Sequence, residues 1–239
     1  MRKIAVFDVD GTIFRSGLYR EVVFELLRQK VIPPEARKAF SDEELNWRMR
    51  KSDEAFTQYS DKIVEILHQH ITQVKVADYK KASEKVIQKM GDYCYNFTRN
   101  LAKELAEGGY YLVIISGSPQ EVVGLLGKRL NFDLAIGSNY KHDKDGYYTG
   151  EMGVPTWYDK EKVLQTALDW SKFTIDDSYA IGDTMGDASL LASVDNPIAF
   201  NPEKDLFELA QRSRWPVVIE RKNSIYKLTP TESGYRVSL

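Results

Sequence analysis

One cysteine, Cys94, stands in 239 residues, so no disulfide forms within the chain. That suits a reducing compartment, and a cytoplasmic location is expected. No histidine lies near Cys94 in sequence, which argues for a packed helix residue rather than a nucleophile. Histidine is scarce as well. His68 and His70 are two apart in a helical stretch and face different ways, and His142 sits in a charged turn. They form no metal constellation, and solvated roles are expected for all three. No apolar run is long enough to span a membrane, and the one following Arg2 and Lys3 is too short for a signal peptide. Neither sign of charge dominates. A net charge of -2 gives no electrostatic reason to expect nucleic acid or an acidic membrane. Repeats and low-complexity segments are absent. What remains, 43% hydrophobic and 28% charged, is the composition of a globular protein with one large domain or a core plus an insert.

The most informative stretch is Lys3-Ile4-Ala5-Val6-Phe7-Asp8-Val9-Asp10-Gly11-Thr12. Its apolar run, rich in β-branched and aromatic residues, predicts a strand buried on both faces. Side chains two apart on extended chain point the same way, so Asp8 and Asp10 project together into one crevice. Two such carboxylates repel unless something offsets them, and a hard cation such as Mg2+ takes oxygen ligands. Gly11 permits a sharp turn and brings backbone N–H groups towards a bound anion.

Downstream, Leu18-Val22-Val23-Leu26-Leu27 recur at helical spacing, and Val31-Ile32-Pro33-Pro34 break the pattern. Further helices are expected from Pro34 or Ser41, from Asp53 to His70 and from Ala77 to Met90. No strand pattern interrupts them, so this region reads as a helical insert. Asp92 to Glu107 predicts another helix, stopped by Gly108-Gly109. Strands follow at Tyr110–Ile115, Phe132–Ile136, Ser178–Ile181, Pro197–Phe200 and Pro216–Ile219. Helices are expected from Pro119 to Leu130, Lys160 to Trp170 and Ala188 to Ser193. A small hairpin is expected beyond the turn Asp143-Lys144-Asp145-Gly146. The last dozen residues are polar and expected to be loosely held. Alternating strands and helices predict an α/β fold, a doubly wound parallel sheet.

Three apolar strand runs end in polar tips: Asp8 with Asp10, Ser116, and Asp183 with Asp187. In a doubly wound sheet the carboxyl ends of the strands form the ligand crevice, so these tips should meet. Asp8-Val9-Asp10-Gly11-Thr12, Ser116 before Gly117, and Gly182-Asp183-Thr184-Met185-Gly186-Asp187 resemble, in order, the signatures of the haloacid dehalogenase-like (HAD) hydrolases, in their phosphoserine-phosphatase-like branch. A lysine at a helix start completes the pattern. Lys160, with Leu164 four positions on, suits it better than Lys162. The resemblance covers the opening strand and roughly residues 95–200. It implies a Rossmannoid core over 1–14 and 91–239, with a helical cap of the "C1" type inserted over 15–90.

The resemblance also implies a Mg2+-dependent phosphatase acting on a small phosphomonoester, as a monomer or homodimer without nucleic-acid or membrane partners. Asp8 would attack phosphorus and form an aspartyl-phosphate. Asp10 would protonate the leaving alkoxide and then deprotonate water, so it must carry a proton at the first step. Asp8, Asp183 and the backbone carbonyl of Asp10 would hold Mg2+, with Asp187 orienting that shell. Ser116, the backbone near Gly117 and Lys160 would bind phosphoryl oxygens. In the phosphoserine branch a glutamate usually stands seven positions after the second aspartate. Here that position is Gly17, which argues against phosphoserine itself. Arg15, Arg48 and Arg50 are candidates to touch the leaving group. Two other readings remain open at this point. A phosphotransferase would pass the group to an alcohol. A phosphoreceiver-like signalling module would also use a strand-end aspartate, but lacks the Asp-x-Asp pair and the large insert.

Overall fold

The structure, a computed structural model, describes residues 1–153, 156, 159–232 and 234–239. The opening run forms β1 (Arg2–Asp8), whose side chains alternate between two faces. Ala5, Phe7 and Val9 enter one hydrophobic cluster, and Ile4 and Val6 enter the other. A strand apolar on both faces belongs in the middle of a sheet, and β1 lies there.

Its neighbours are β2 (Tyr111–Pro119) on one side and β6 (Phe173–Gly182) on the other, both parallel to it. Outward from β2 lies β3 (Leu134–Ser138). Outward from β6 lie β7 (Asn196–Phe200) and β8 (Val217–Arg221), also parallel. The antiparallel β9 (Ser224–Thr231) and β10 (Gly234–Ser238) complete an eight-stranded sheet. The order β10-β9-β8-β7-β6-β1-β2-β3 reverses direction at β1, the switch point of a doubly wound sheet. The fold class is therefore as expected. Helices α5 (Asn96–Glu107), α6 (Gln120–Arg129), α7 (Lys160–Ala167), α8 (Ala188–Ala192) and α9 (Lys204–Ser213) connect the strands.

Between β1 and β2 lie α1 (Leu18–Arg28), α2 (Ser41–Arg48), α3 (Ala55–His70) and α4 (Val76–Met90), a helical insert as expected. A 3-10 turn, Pro34–Phe40, follows the proline break. The chain entering the insert pairs with the chain leaving it. Arg15 N–H donates to the Tyr93 carbonyl at 2.9 Å, and Tyr95 N–H to the Ile13 carbonyl at 3.0 Å. The expected helix start at Asp92 is thus displaced to Asn96, because residues 93–95 are extended to make these bonds. Cys94 is buried, but it bridges Phe14 in this ladder and is not helical. Burial pushes its thiol up to about 11, which suits an inert packing role. The hairpin β4 (Tyr140–His142) and β5 (Tyr148–Met152) lies where the turn residues placed it.

Two expectations need correction. The polar C-terminus is not loose: it forms β9 and β10, and the Tyr235 hydroxyl donates to the Trp215 carbonyl at 2.9 Å. An antiparallel edge with one solvated face carries polar residues, so composition concealed it. Among the histidines, His70 is half-buried, and His68, though exposed, shares a 3.0 Å hydrogen bond with the Tyr140 hydroxyl.

The insert is tied together by a buried charge. Glu25 on α1 has a side chain 1% exposed. It is bonded by Arg28, by Gln29 Nε2 at 3.0 Å and by Lys85 of α4 at 3.1 Å, with Lys89 at 3.6 Å. Burial alone would raise its carboxyl, but Gln29, Lys85, Arg28 and Lys89 together hold it below the ordinary glutamate value. Glu25→Ala is expected to cost about 1–2 kcal/mol at neutral pH, because the cations left behind remain solvated. A native pKa below the unfolded one stabilises above the unfolded value and is lost as pH falls through the native one. The difference between variant and wild-type melts should therefore narrow below about pH 4.3.

Candidate active site

The carboxyl ends of β1, β2 and β6 bring the expected tips together. Asp8 closes β1, Ser116 lies in β2 beside it, and Asp183 follows β6 directly. The capping box Thr184–Asp187 then starts a short 3-10 turn leading into α8. Lys160 is the first residue of α7 and is buried, with Asp159 capping the helix through the Lys162 N–H. Lys160 Nζ donates to Asp8 Oδ1 and to Asp187 Oδ1, each at 2.5 Å. This distinguishes the two lysines: Lys160 reaches the centre, while the Lys162 side chain makes no ion pair among the described residues.

Asp187 is fully engaged. Its other oxygen accepts the N–H groups of Asp183 and Thr184 at 3.1 Å and the Thr184 hydroxyl at 3.3 Å. Its side chain does not cap α8; it closes the capping box of the preceding 3-10 turn, and it fixes Lys160 and the turn carrying Asp183. Asp10 is held from two directions. Leu18 N–H of α1 donates to its Oδ1 at 2.5 Å, while the Ser116 and Ser118 hydroxyls donate to its Oδ2 at 2.5 and 3.0 Å. The Ser116 hydroxyl thus faces Asp10, and the Ser118 N–H donates back to Ser116 Oγ at 2.9 Å. Ser118 escaped the sequence reading, although it stands two residues from Ser116, at the spacing that unites Asp8 and Asp10. Thr12 was also missed. Its hydroxyl donates to Asp183 Oδ1 at 3.2 Å.

Within the centre one atom stands out: Asp8 Oδ2 is buried and has no hydrogen-bond partner among the described residues. Carboxylate oxygens of Asp8, Asp183 and Asp187 lie within 4.8 Å of one another. Burial pushes the Asp8 carboxyl up to about 7; Lys160 opposes the rise, and the charges of Asp187 and Asp10 add to it. Burial and the charges of Asp8 and Asp187 likewise hold Asp183 well above the ordinary range. Burial works against the charge on Lys160, but Asp187 and Asp8 prevail and raise its pKa. One ammonium among these carboxylates leaves an excess of negative charge. An all-oxygen donor set of this kind suits a divalent cation, with Asp8 and Asp183 offering free oxygen positions.

The centre opens into a cavity of about 1080 Å³ between sheet and insert. Asp8, Asp10, Lys160 and Asp183 form its floor, and Gly117 and Ser118 one wall. Arg15 lines it as expected. Arg48 does not: its side chain is 68% exposed and pairs with Glu44 at 2.6 Å. Arg50 also lies outside it. Arg20, absent from the expected set, lines the cavity beside Tyr19.

The HAD family, haloacid dehalogenase-like hydrolase, matches residues 5–192, a span holding every residue of this centre. The chain belongs to the haloacid dehalogenase-like hydrolase family. Over 211 residues it is 24% identical to the phosphoserine phosphatase of Methanocaldococcus jannaschii, covering 87% of this chain and 90% of that one. It is 29% identical over 128 residues to the Inhibition of morphological differentiation protein of Streptomyces azureus. That match covers 52% of this chain but 45% of the relative, about half its length. A solved structure of a protein of unknown function from Bordetella pertussis Tohama I shares the HAD fold. Its TM-score is 0.69 at 21% identity, over 92% of this chain and 99% of that one.

The centre depends on a glycine at one close approach. Gly11 has φ +93°, and a Cβ there would overlap Asp183 Oδ2. Gly11→Ala is expected to lose about 1–3 kcal/mol in a thermal melt from backbone strain alone, before any displacement of Asp183.

Proposed function

We propose that the protein is a Mg2+-dependent phosphatase of small phosphomonoesters, working through an aspartyl-phosphate on Asp8. The observation that carries this reading is the buried, unpartnered Oδ2 of Asp8, a residue that lines a cavity together with Asp10. A carboxylate oxygen free of hydrogen bonds, on a side chain whose other oxygen is fixed by Lys160, is a positioned nucleophile. Similarity to a phosphoserine phosphatase over most of both chains supports monoester chemistry. Gly17 argues against phosphoserine as the substrate.

Asp8 Oδ2 attacks phosphorus, forming the aspartyl-phosphate as the ester P–O bond breaks. Asp10, beside it, gives its proton to the departing alkoxide. The Leu18 N–H and two serine hydroxyls hold Asp10 in place for that transfer. Asp10 then takes a proton from water, which attacks phosphorus and releases phosphate from Asp8. Lys160 holds Asp8 throughout, and Asp187 holds Lys160. Asp8, Asp183 and the Asp10 backbone carbonyl would hold Mg2+, which when bound supplies positive charge to the phosphoryl oxygens and offsets the crowded carboxylates. The Gly117 backbone, which lines the cavity, would bind the phosphoryl group, whereas Ser116 is fully buried behind Asp10 and would reach a phosphoryl oxygen only by giving up its bond to Asp10. Residues 15–90, the insert, act as a cap that covers the reacting centre and excludes water.

Asp8→Asn should abolish phosphate release from p-nitrophenyl phosphate while leaving the melting curve cooperative. Substantial turnover in that variant would sink the aspartyl-phosphate route. In the wild type, EDTA should stop release and added Mg2+ restore it; full activity in chelator would exclude the metal site as drawn.

A further inference from the structure

Two guanidinium groups line the cavity with no carboxylate within hydrogen-bond length among the described residues, although Glu21 comes within 3.7 Å of one of them, Arg20. Three other arginines of the insert are paired, Arg28 with Glu25, and Arg37 and Arg48 with Glu44, while Arg50 lies outside the cavity. Arg15 and Arg20 differ. Arg15 makes no ion pair within 4.0 Å among the described residues. Its guanidinium carbon sits over the rings of Tyr93 and Tyr95, at 5.4 and 5.2 Å from their centroids. Arg20 sits over Trp47 and Tyr59 at 5.6 and 6.0 Å. Its side chain is only 19% exposed.

Arg20 Nη2 donates to Ser16 Oγ at 2.5 Å. Glu21 Oε1 stands 3.7 Å from Arg20 Nε, beyond hydrogen-bond length, and accepts the Ser16 hydroxyl at 2.6 Å. The remaining N–H groups of Arg20 have no acceptor among the described residues. A guanidinium stacked on aromatic faces keeps its edge free, and that edge matches a carboxylate or phosphate in two parallel hydrogen bonds.

Both arginines are fixed relative to the reacting centre. They flank the segment 16–19, whose Leu18 N–H is bonded to Asp10 and whose Tyr19 N–H donates to Ser118 Oγ at 3.1 Å. Gly17 lies between them. Its φ of -95° is open to any residue, and a Cβ there would meet Arg20 Cβ at an ordinary 3.6 Å. The backbone therefore does not require glycine. Gly17 adds no side chain and no negative charge of its own beside Arg20; the carboxylate nearest to Arg20 is Glu21, which also lines the cavity and is held by the Ser16 hydroxyl. Asp61 also lines the cavity, but it is exposed and bonded to neither arginine.

Resting on the phosphatase reading for the reaction itself, we propose that Arg15 and Arg20 select phosphomonoesters whose leaving group carries a second anion, a carboxylate or a phosphate. The cavity is far larger than a phosphate group needs, so the second anion has room to reach the arginines while phosphorus stays at Asp8.

The test compares phenyl phosphate with para-carboxyphenyl phosphate, para-phenylene bisphosphate and para-(aminomethyl)phenyl phosphate. Turnover is read on the wild type, and Kd by calorimetry on Asp8→Asn with Mg2+. The two probes with an anionic tail should bind at least about tenfold tighter than phenyl phosphate, and the cationic probe no tighter. The carboxylate and bisphosphate arms show which anion is taken. Arg20→Met and Gly17→Glu, the second placing a carboxylate beside an intact Arg20, should each bring the ratio down towards one. Should Arg20→Met fail to fold, Gly17→Glu decides alone. Equal Kd values across the probes, or a preference untouched by the variants, overturn the proposal. Preferential binding without any phosphate release would leave it standing and overturn the phosphatase reading instead.

Discussion

A single buried ammonium organises the centre. Lys160 meets Asp8 and Asp187 at 2.5 Å each, and every other feature of the site follows from satisfying or exceeding that charge. Asp187 is neutralised by Lys160 and by three donors of its own turn. Asp8 has one oxygen on Lys160 and one left over. Asp183 receives a hydroxyl from Thr12 and no cation among the described residues. Leaving a buried carboxylate uncompensated is costly, so the arrangement persists only where something else supplies positive charge. The protein stores an electrostatic deficit at one point, and that point is where a cation and a phosphoryl group would meet.

The deficit exists because of topology. The sheet reverses at β1, so β2 and β6 diverge and leave a crevice above the Asp8 end. Residues at 8, 116 and 183 are distant along the chain and adjacent only there. Close approach completes the geometry: with any side chain at Gly11, Asp183 is displaced.

How much of this was legible depends on what carried the signal. The β1 run, the acidic tips and Lys160 were readable because chemistry and hydrophobicity coincide in a few consecutive residues. The helical insert was readable from periodicity. The C-terminal hairpin was not. Ser224–Thr231 and Gly234–Ser238 are held mainly by backbone pairing at a solvated edge, and backbone pairing leaves little trace in side-chain composition. Helix α9 had a trace, Leu206-Phe207-Leu209-Ala210, that a search for further helices finds. Arg20 differs again. Sequence marks Arg15, Arg48 and Arg50 as equally basic, and only tertiary placement separates an arginine paired with Glu44 from one lining the cavity. Ser118 was legible in principle through its spacing from Ser116.

Asp10 joins these strands of argument. Its Oδ2 is held by serines of β2, part of the sheet, and its Oδ1 by the first N–H of α1, part of the insert. The residue proposed to move the proton therefore reads the position of both units at once. Entry and exit of the insert are laced together at residues 13–15 and 93–95, so the insert joins the core through two short paired segments. Any motion that lifted α1 from the sheet would break the Leu18 bond and release one oxygen of Asp10 before altering Asp8, which is held by Lys160 within the core. The proposed nucleophile and the proposed proton carrier thus differ in what fixes them. Asp8 is held within the core, by Lys160 of α7, while Asp10 is held by both the core and the insert, so on the proposed mechanism seating of the insert would bear on proton transfer more directly than on attack.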